Sequence, residues 1–173
     1  MNADALRNAI RDVPDFPKKG IVFKDVTPIL RDPKLFRGAV GLLADALKGQ
    51  SIDRIAAIDA RGFLFGAALA ERLKIGLVPI RKAGKLPYKT YEESYDLEYG
   101  SNTVAIHQDA FDPGDHVALV DDLLATGGTA AAAARLIEKA GGKVAAVLFL
   151  VELAFLNGRA KLAKYPVHAP IVF

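Results

Sequence analysis

Apolar positions along the chain follow two spacings in turn, with glycines and prolines at the changes between them. At the start, Leu6 and Ile10 share one face of a helix over residues 3–12. Asp32-Pro33 opens a longer helix, since Asp32 can accept unpaired first-turn amides and proline suits a position whose N–H has no partner. Leu35, Phe36, Ala39, Leu42, Leu43, Ala46 and Leu47 keep the helical interval behind it, and Gly49 can end it. The spacing then collapses into short apolar runs at 54–58, 77–80, 117–120 and 144–151. Helical patterns lie among them, over 62–74 with Gly76 as the stop and over 129–140 with Gly141-Gly142 as the stop.

Strand, helix, strand, helix predicts an α/β fold with a central, mostly parallel sheet flanked by helices on both faces. Apolar runs without alternation agree, because strands in such a sheet are buried on both sides. Two segments break the rhythm. Residues 16–30, FPKKGIVFKDVTPIL, are rich in proline and glycine and predict an irregular lobe. Residues 81–99 are polar, charged and long, which in a compact domain marks a lid or binding loop. The tail, 165–173 with Pro166 and Pro170, predicts a last strand or a segment laid against the N-terminal lobe.

The 173 residues, 51% of them hydrophobic, suffice for one well-buried core but not comfortably for two domains. Cysteine is absent, which excludes disulfides and thiolate metal sites and agrees with a reducing compartment. The N-terminus lacks a basic start followed by an apolar run, and the stretch 144–151 is too short to span a bilayer. A cytoplasmic protein with no membrane partner is expected. The net charge of +3 raises nucleic acid as a partner. The basic residues are interleaved with acids, however, and their one local cluster, Arg81, Lys82 and Lys85, suits a small polyanion. His107, His116 and His168 lack zinc-binding spacing and read as structural. Glu152, after the last apolar run, has no role in this reading.

The densest chemistry lies in VALVDDLLATGGT, residues 117–129. A buried strand ends in Asp121 and Asp122, a turn of small residues follows, and a helix begins near Thr129. Ligands of an open parallel sheet bind at the carboxyl ends of its strands, where this loop falls. Gly127 and Gly128 let backbone approach an anion, the helix start offers unpaired N–H groups, and Thr126 and Thr129 add hydroxyls. Ionised aspartates only accept hydrogen bonds, so the pair suits sugar hydroxyls, directly or through hydrated magnesium. A Gly-Gly before a helix is often only a turn, but two carboxylates closing a buried strand are costly to desolvate without partners. Neither G-x-x-x-x-G-K-[ST] nor G-x-G-x-x-G after a strand occurs, which disfavours nucleoside triphosphatases and dinucleotide enzymes.

VALVDDLLATGGT resembles the phosphoribosyl pyrophosphate signature of the type I phosphoribosyltransferases. With FPKKGIVFKDVTPIL, DARGFLFG (59–66) and ESYDLEYG (93–100) in the same order, the chain from about Val13 to Leu153 resembles the adenine-specific family of that class. The resemblance implies the type I phosphoribosyltransferase fold in a single domain. Its core would cover about 32–153, its hood about 13–31 plus the C-terminal segment, and its flexible catalytic loop about 81–100. The implied reaction belongs to purine salvage: phosphoribosyl passes from phosphoribosyl pyrophosphate to adenine, giving AMP and pyrophosphate. Mg2+ would come with substrate and water rather than on protein ligands, and a homodimer is implied, with no nucleic acid partner.

Residue by residue, the resemblance puts Ala125, Thr126, Gly127, Gly128 and Thr129 around the 5′-phosphate, and Asp121 and Asp122 on the ribose hydroxyls. Pyrophosphate falls to Asp59, Ala60 and Arg61, with a cis peptide implied at Asp59-Ala60, and to Arg81, Lys82 and Lys85. One of these can act on the neighbouring subunit's site. Adenine falls to Val22, Phe23 and Lys24, with Phe23 stacking on the base and its neighbours offering backbone polar groups. Glu98 would handle the proton at the imidazole nitrogens of adenine, and Tyr99 would close on the sugar phosphate. Pattern alone leaves plainer roles open. Arg61 can be a helix-capping surface residue, Phe23 core, and the basic cluster a solvated loop face. Tyr91, Tyr95 and Tyr99 can be the packed face of a hairpin beside a solvated Glu98. Two rival functions also stand, a related enzyme for a 6-oxopurine or pyrimidine and a non-catalytic regulator that binds nucleic acid. The regulator needs a nucleic-acid-reading element, and the N-terminal region is taken up by the adenine-hood pattern.

Overall fold

The computed structural model describes residues 2–97 and 100–173. Its N-terminal part contains α1 (Ala3–Ala9), β1 (Arg11–Pro14), β2 (Val22–Asp25) and α2 (Thr27–Arg31). The body follows with α3 (Pro33–Asp45), β3 (Arg54–Ile58), α4 (Arg61–Leu73), β4 (Gly76–Lys82), β5 (Thr90–Asp96) and β6 (Ser101–His107). After these come β7 (His116–Leu124), α5 (Gly128–Lys139) and β8 (Lys143–Glu152). Two short 3-10 segments, Ala154–Leu156 and Gly158–Leu162, lead to β9 (Val167–His168) and β10 (Ile171–Val172).

The strands β10, β8, β7, β3 and β4 lie side by side and parallel, and β6 and β5 extend the sheet antiparallel beyond β4. This is the α/β class with a mostly parallel sheet that the apolar runs predict. The runs are unbroken because successive residues serve two cores. Ala56, Ile58, Val117, Leu119, Val147 and Phe149 pack under α5 on one face. Ile55, Ala118, Val120, Ala146, Leu148 and Leu150 face α1, α3 and α4 on the other. Each large apolar side chain so buried contributes about 1.5–3 kcal/mol. Asp32 caps α3 as its sequence promises, accepting from the amides of Lys34 at 2.8 Å and Leu35 at 3.0 Å.

Several boundaries differ from expectation, each for a local reason. The first helix stops at Ala9 because residues 11–14 pair with β2, so the lobe predicted as irregular holds a two-stranded sheet and α2. The regular part of α3 ends at Asp45, short of Gly49, which serves the following turn with φ of 80°. Lys74, in the left-handed conformation, caps α4, whereas Gly76 opens β4. The strand β7 continues through Asp121 and Asp122 to Leu124, because β8 pairs with it that far. Residues 81–97 complete β4 and then form β5, whose register with β6 fixes Tyr91 opposite Ile106 and Tyr95 opposite Asn102. The polar composition concealed these strands, since β5 alternates half-buried and exposed residues instead of burying both faces. The tail takes both of its expected courses. It adds β9 and β10 along β8, and Phe173 lies under Arg7 and Lys24, each 4.2 Å from its ring centre.

Candidate active site

Three neighbouring strands, β7, β3 and β4, bring their carboxyl ends to the same edge. Of these, β7 carries Asp121 and Asp122 and runs into the turn 125–127, β3 runs into Asp59 and Ala60, and β4 ends on Arg81 and Lys82. The helices that follow β7 and β3 begin without a side-chain cap: α5 starts behind Gly127 and α4 behind Ala60. By contrast, α1 and α3 are capped by Asn2 and Asp32; the five-residue α2 also lacks a side-chain cap. First-turn amides at the positive end of a helix dipole, left without an internal acceptor, suit an anion. The turn and helix start, with Asp121, Leu124 and Phe149, enclose a cavity of about 80 Å³. That is well below the roughly 300 Å³ at which drug-sized sites begin, and it fits a compact anion.

Arg61 links the other parts. Its Nε lies 2.5 Å from Oδ2 of Asp122, which is only 4% exposed, so the start of α4 is tied to β7 by an ion pair with one desolvated end. The same guanidinium lies 5.4 Å from the ring centre of Phe23, which Phe16 meets edge-on at 5.2 Å. Asp121 Oδ1 accepts the backbone N–H of Asp122 at 2.8 Å. Burial, and after it the charge of Asp122, holds the Asp121 carboxyl well above the usual carboxylate range, with Arg61 opposing. Asp121 is therefore pushed towards its neutral form, in contrast to the fully ionised pair expected from sequence.

The peptide bond Asp59-Ala60 is cis, as the resemblance implies. Oδ2 of Asp59 accepts from Arg81 Nε at 2.9 Å, and Arg81 Nη1 donates to the Lys85 carbonyl at 3.3 Å. Lys82 and Lys85 are exposed and make no ion pair among the described residues. The Lys24 side chain turns away, to Oδ1 of Asp12 at 2.6 Å and onto Phe173. Its backbone stays with Val22 and Phe23 on a strand paired on one side only among the described residues, so alternate polar groups remain for another partner. Glu98 and Tyr99 lie outside the described residues. Asp121, Asp122, Arg61, Phe23 and the turn 125–129 thus gather at one edge with Asp59 and Arg81. The Lys82, Lys85 and Lys24 side chains form no hydrogen bond or ion pair with that group among the described residues.

Two contacts here escaped sequence reasoning. Thr129 Oγ1 donates to Tyr95 Oη at 2.9 Å, and the Tyr95 ring stands against Gly128. ESYDLEYG carried the signal, but only as packing. Behind the turn, Gly158 faces Gly127 so closely that a Cβ on Gly127, whose φ is 79°, would lie 2.3 Å from the Gly158 carbonyl oxygen. The Asn157-Gly158 dipeptide was its only trace, and it says no more than turn.

Residues 25–168 match the family profile described as the phosphoribosyl transferase domain. A curated relative from Caldanaerobacter subterraneus subsp. tengcongensis, an adenine phosphoribosyltransferase, is 54% identical over 173 residues, all of both chains. The crystal structure of adenine phosphoribosyltransferase from Thermoanaerobacter pseudethanolicus superposes with a TM-score of 0.97 at 53% identity, covering 99% of this chain and 100% of that one. The enzyme from Saccharomyces cerevisiae, complexed with adenine and an imino-altritol bisphosphate, gives 0.93 at 42% identity over 98% of each chain. This chain belongs to the phosphoribosyltransferases, and within them to the adenine phosphoribosyltransferase family.

Proposed function

We propose that this chain is a purine salvage enzyme that transfers phosphoribosyl from phosphoribosyl pyrophosphate to adenine, giving AMP and pyrophosphate. One observation carries the reading. Two uncapped helix starts flank a pair of aspartates at adjacent strand ends, which provides two anion seats with acceptors for sugar hydroxyls between them. The 5′-phosphate takes the amides at 127–129 with the hydroxyls of Thr126 and Thr129. Ribose hydroxyls donate to Asp121 and Asp122, and the negative charge of Asp122 also favours the cationic sugar that develops as pyrophosphate leaves. Pyrophosphate takes the start of α4 at Ala60 and Arg61, next to Asp59, with Arg81, Lys82 and Lys85 around it. Adenine lies on Phe23 and meets the free backbone edge at Val22 and Lys24. Glu98 moves the proton of the base, and Tyr99 closes on the sugar phosphate.

Magnesium would enter with the sugar pyrophosphate and meet this chain through water. Two carboxylates fit that role better than a protein cage: Asp121 Oδ1 already accepts an amide and Asp122 Oδ2 already holds Arg61. Bound there, the ion would neutralise charge on the leaving group. A homodimer in the cytoplasm completes the proposal; among the described residues no helix is long and apolar enough to cross a membrane. The test is product analysis with adenine, phosphoribosyl pyrophosphate and magnesium, hypoxanthine, guanine and orotate serving as rival bases. AMP should form fastest from adenine and stop when metal is removed. Faster turnover of hypoxanthine ends the assignment of the base.

A further inference from the structure

We infer that the ion pair Glu152–Arg159 positions the phosphate turn, acting through the backbone of Gly158; the inference rests on the reading of that turn as the 5′-phosphate seat. Glu152 ends β8 opposite Leu124, the last residue of β7 before the turn, and the next amide, Leu153 N–H, donates to the Leu124 carbonyl at 2.9 Å. Its main chain therefore fixes the strand that enters the turn. Its carboxylate, on a residue only 6% exposed, accepts from Arg159 through Nε at 3.1 Å and through Nη2 as well. Arg159 Nη1 donates to the Val167 carbonyl at 2.8 Å, so the planar guanidinium is held from two sides. The residue immediately before it is Gly158.

Gly158 stands behind the turn, because the cavity walls do not include it. Asn157, with φ of 52°, turns the chain so that residue 158 lies against residues 125–127. A Cβ placed on Gly158 would come 2.2 Å from the Ala125 carbonyl oxygen and 3.0 Å from the Gly127 nitrogen. With main chain against main chain at this distance, 125–127 cannot retreat from the cavity unless 157–158 moves with it. One carboxylate thus joins the strand feeding the turn to the backbone supporting it. Anion seats made of amides depend on such placement, and an error of about 1 Å can cost on the order of a hundredfold.

The experiment compares Glu152→Gln and Gly158→Ala with wild type. It measures ribose 5-phosphate affinity by calorimetry, KM for both substrates, kcat and melting temperature. The expected result is roughly tenfold or more loss of ribose 5-phosphate affinity and a parallel rise in KM for phosphoribosyl pyrophosphate, with KM for adenine nearly unchanged. Gly158→Ala forces a Cβ onto the Ala125 carbonyl and so tests the backbone contact alone; if Glu152→Gln does not fold, Arg159→Lys, which loses the paired contact of the guanidinium while keeping a positive charge beside Glu152, decides the matter. A lower melting temperature with unchanged ribose 5-phosphate affinity, or equal losses for both substrates, overturns the inference and leaves a purely structural clamp. The double variant Asp121→Asn, Asp122→Asn separates the underlying reading. Wild-type ribose 5-phosphate affinity in that variant means the phosphoribosyl site is misplaced. Loss there with retention in Glu152→Gln and Gly158→Ala defeats the positioning role alone.

Discussion

Asp121 sits where its own charge is unwelcome, under burial and beside a second carboxylate, and the cost has a definite sign with pH. An unfolded aspartate titrates near 3.9. In the fold its value is raised, so the native state keeps a proton over a range in which the unfolded chain has lost it. Stability from this group is then complete below the unfolded value and declines as pH rises through the folded one. Asp121→Asn keeps an oxygen for the Asp122 amide and removes the charge. At neutral pH the ligand-free variant should be more stable by roughly 1 kcal/mol, about 2–4 °C in melting temperature for a chain of this size. The gain should vanish when the pH is taken below about 4, where both proteins are neutral at this position. A variant no more stable than wild type at pH 7 means that the buried charge is not the burden described. Activity should fall in the same variant, since the group that strains the fold is the one offered to the sugar.

Among the elements, the β5–β6 hairpin and α5 meet through the Thr129 hydroxyl, which gives its one proton to Tyr95. A phosphate in the turn competes for that proton, and the bond at stake is worth about 1 kcal/mol. Tyr95→Phe should therefore tighten ribose 5-phosphate by up to about fivefold, read by calorimetry, while leaving the hairpin packed through its ring; weaker binding would mean the tyrosine hydroxyl helps the phosphate instead. This contact also marks how far the sequence could be read. Strands buried on both faces announced themselves as unbroken apolar runs. The strand-turn-helix with Asp121, Asp122 and Gly127 stood out because two adjacent acids on a buried strand are too costly to desolvate unless something binds them. The hairpin surfaced only as the alternative packing of Tyr91, Tyr95 and Tyr99, because β5, at the edge of the sheet, mixes half-buried and exposed polar residues, even though β6, between β4 and β5, buries Val104, Ala105 and Ile106. Glu152 and Gly158 were silent: an acid after a strand and a glycine in a turn acquire a role only when the sheet brings residue 158 to residue 127. The Phe23–Arg61–Asp122 series was legible as separate residues, and only the fold joined them.

At the scale of the whole molecule, the two apolar cores lie along the sheet, and the unmet polar demands collect at one edge. Two helices start there without caps, and a carboxyl is kept above its normal titration range. Ligands that answer those demands should stabilise the fold by mass action, about 2.7 kcal/mol at a hundredfold excess over Kd. The anion seat and the sugar grip use different atoms, amides and hydroxyls at 126–129 for the one and the carboxylates of Asp121 and Asp122 for the other, so their contributions should be separable. Inorganic phosphate should raise the melting temperature beyond what chloride does at equal ionic strength, by several degrees near saturation. Ribose 5-phosphate at the same concentration should add a further increment. In Asp121→Asn, Asp122→Asn the phosphate increment should persist while the sugar's addition disappears. If both increments are lost together, the anion is held by the aspartates through a cation and not by the helix start; if both persist, the ribose lies elsewhere on the edge.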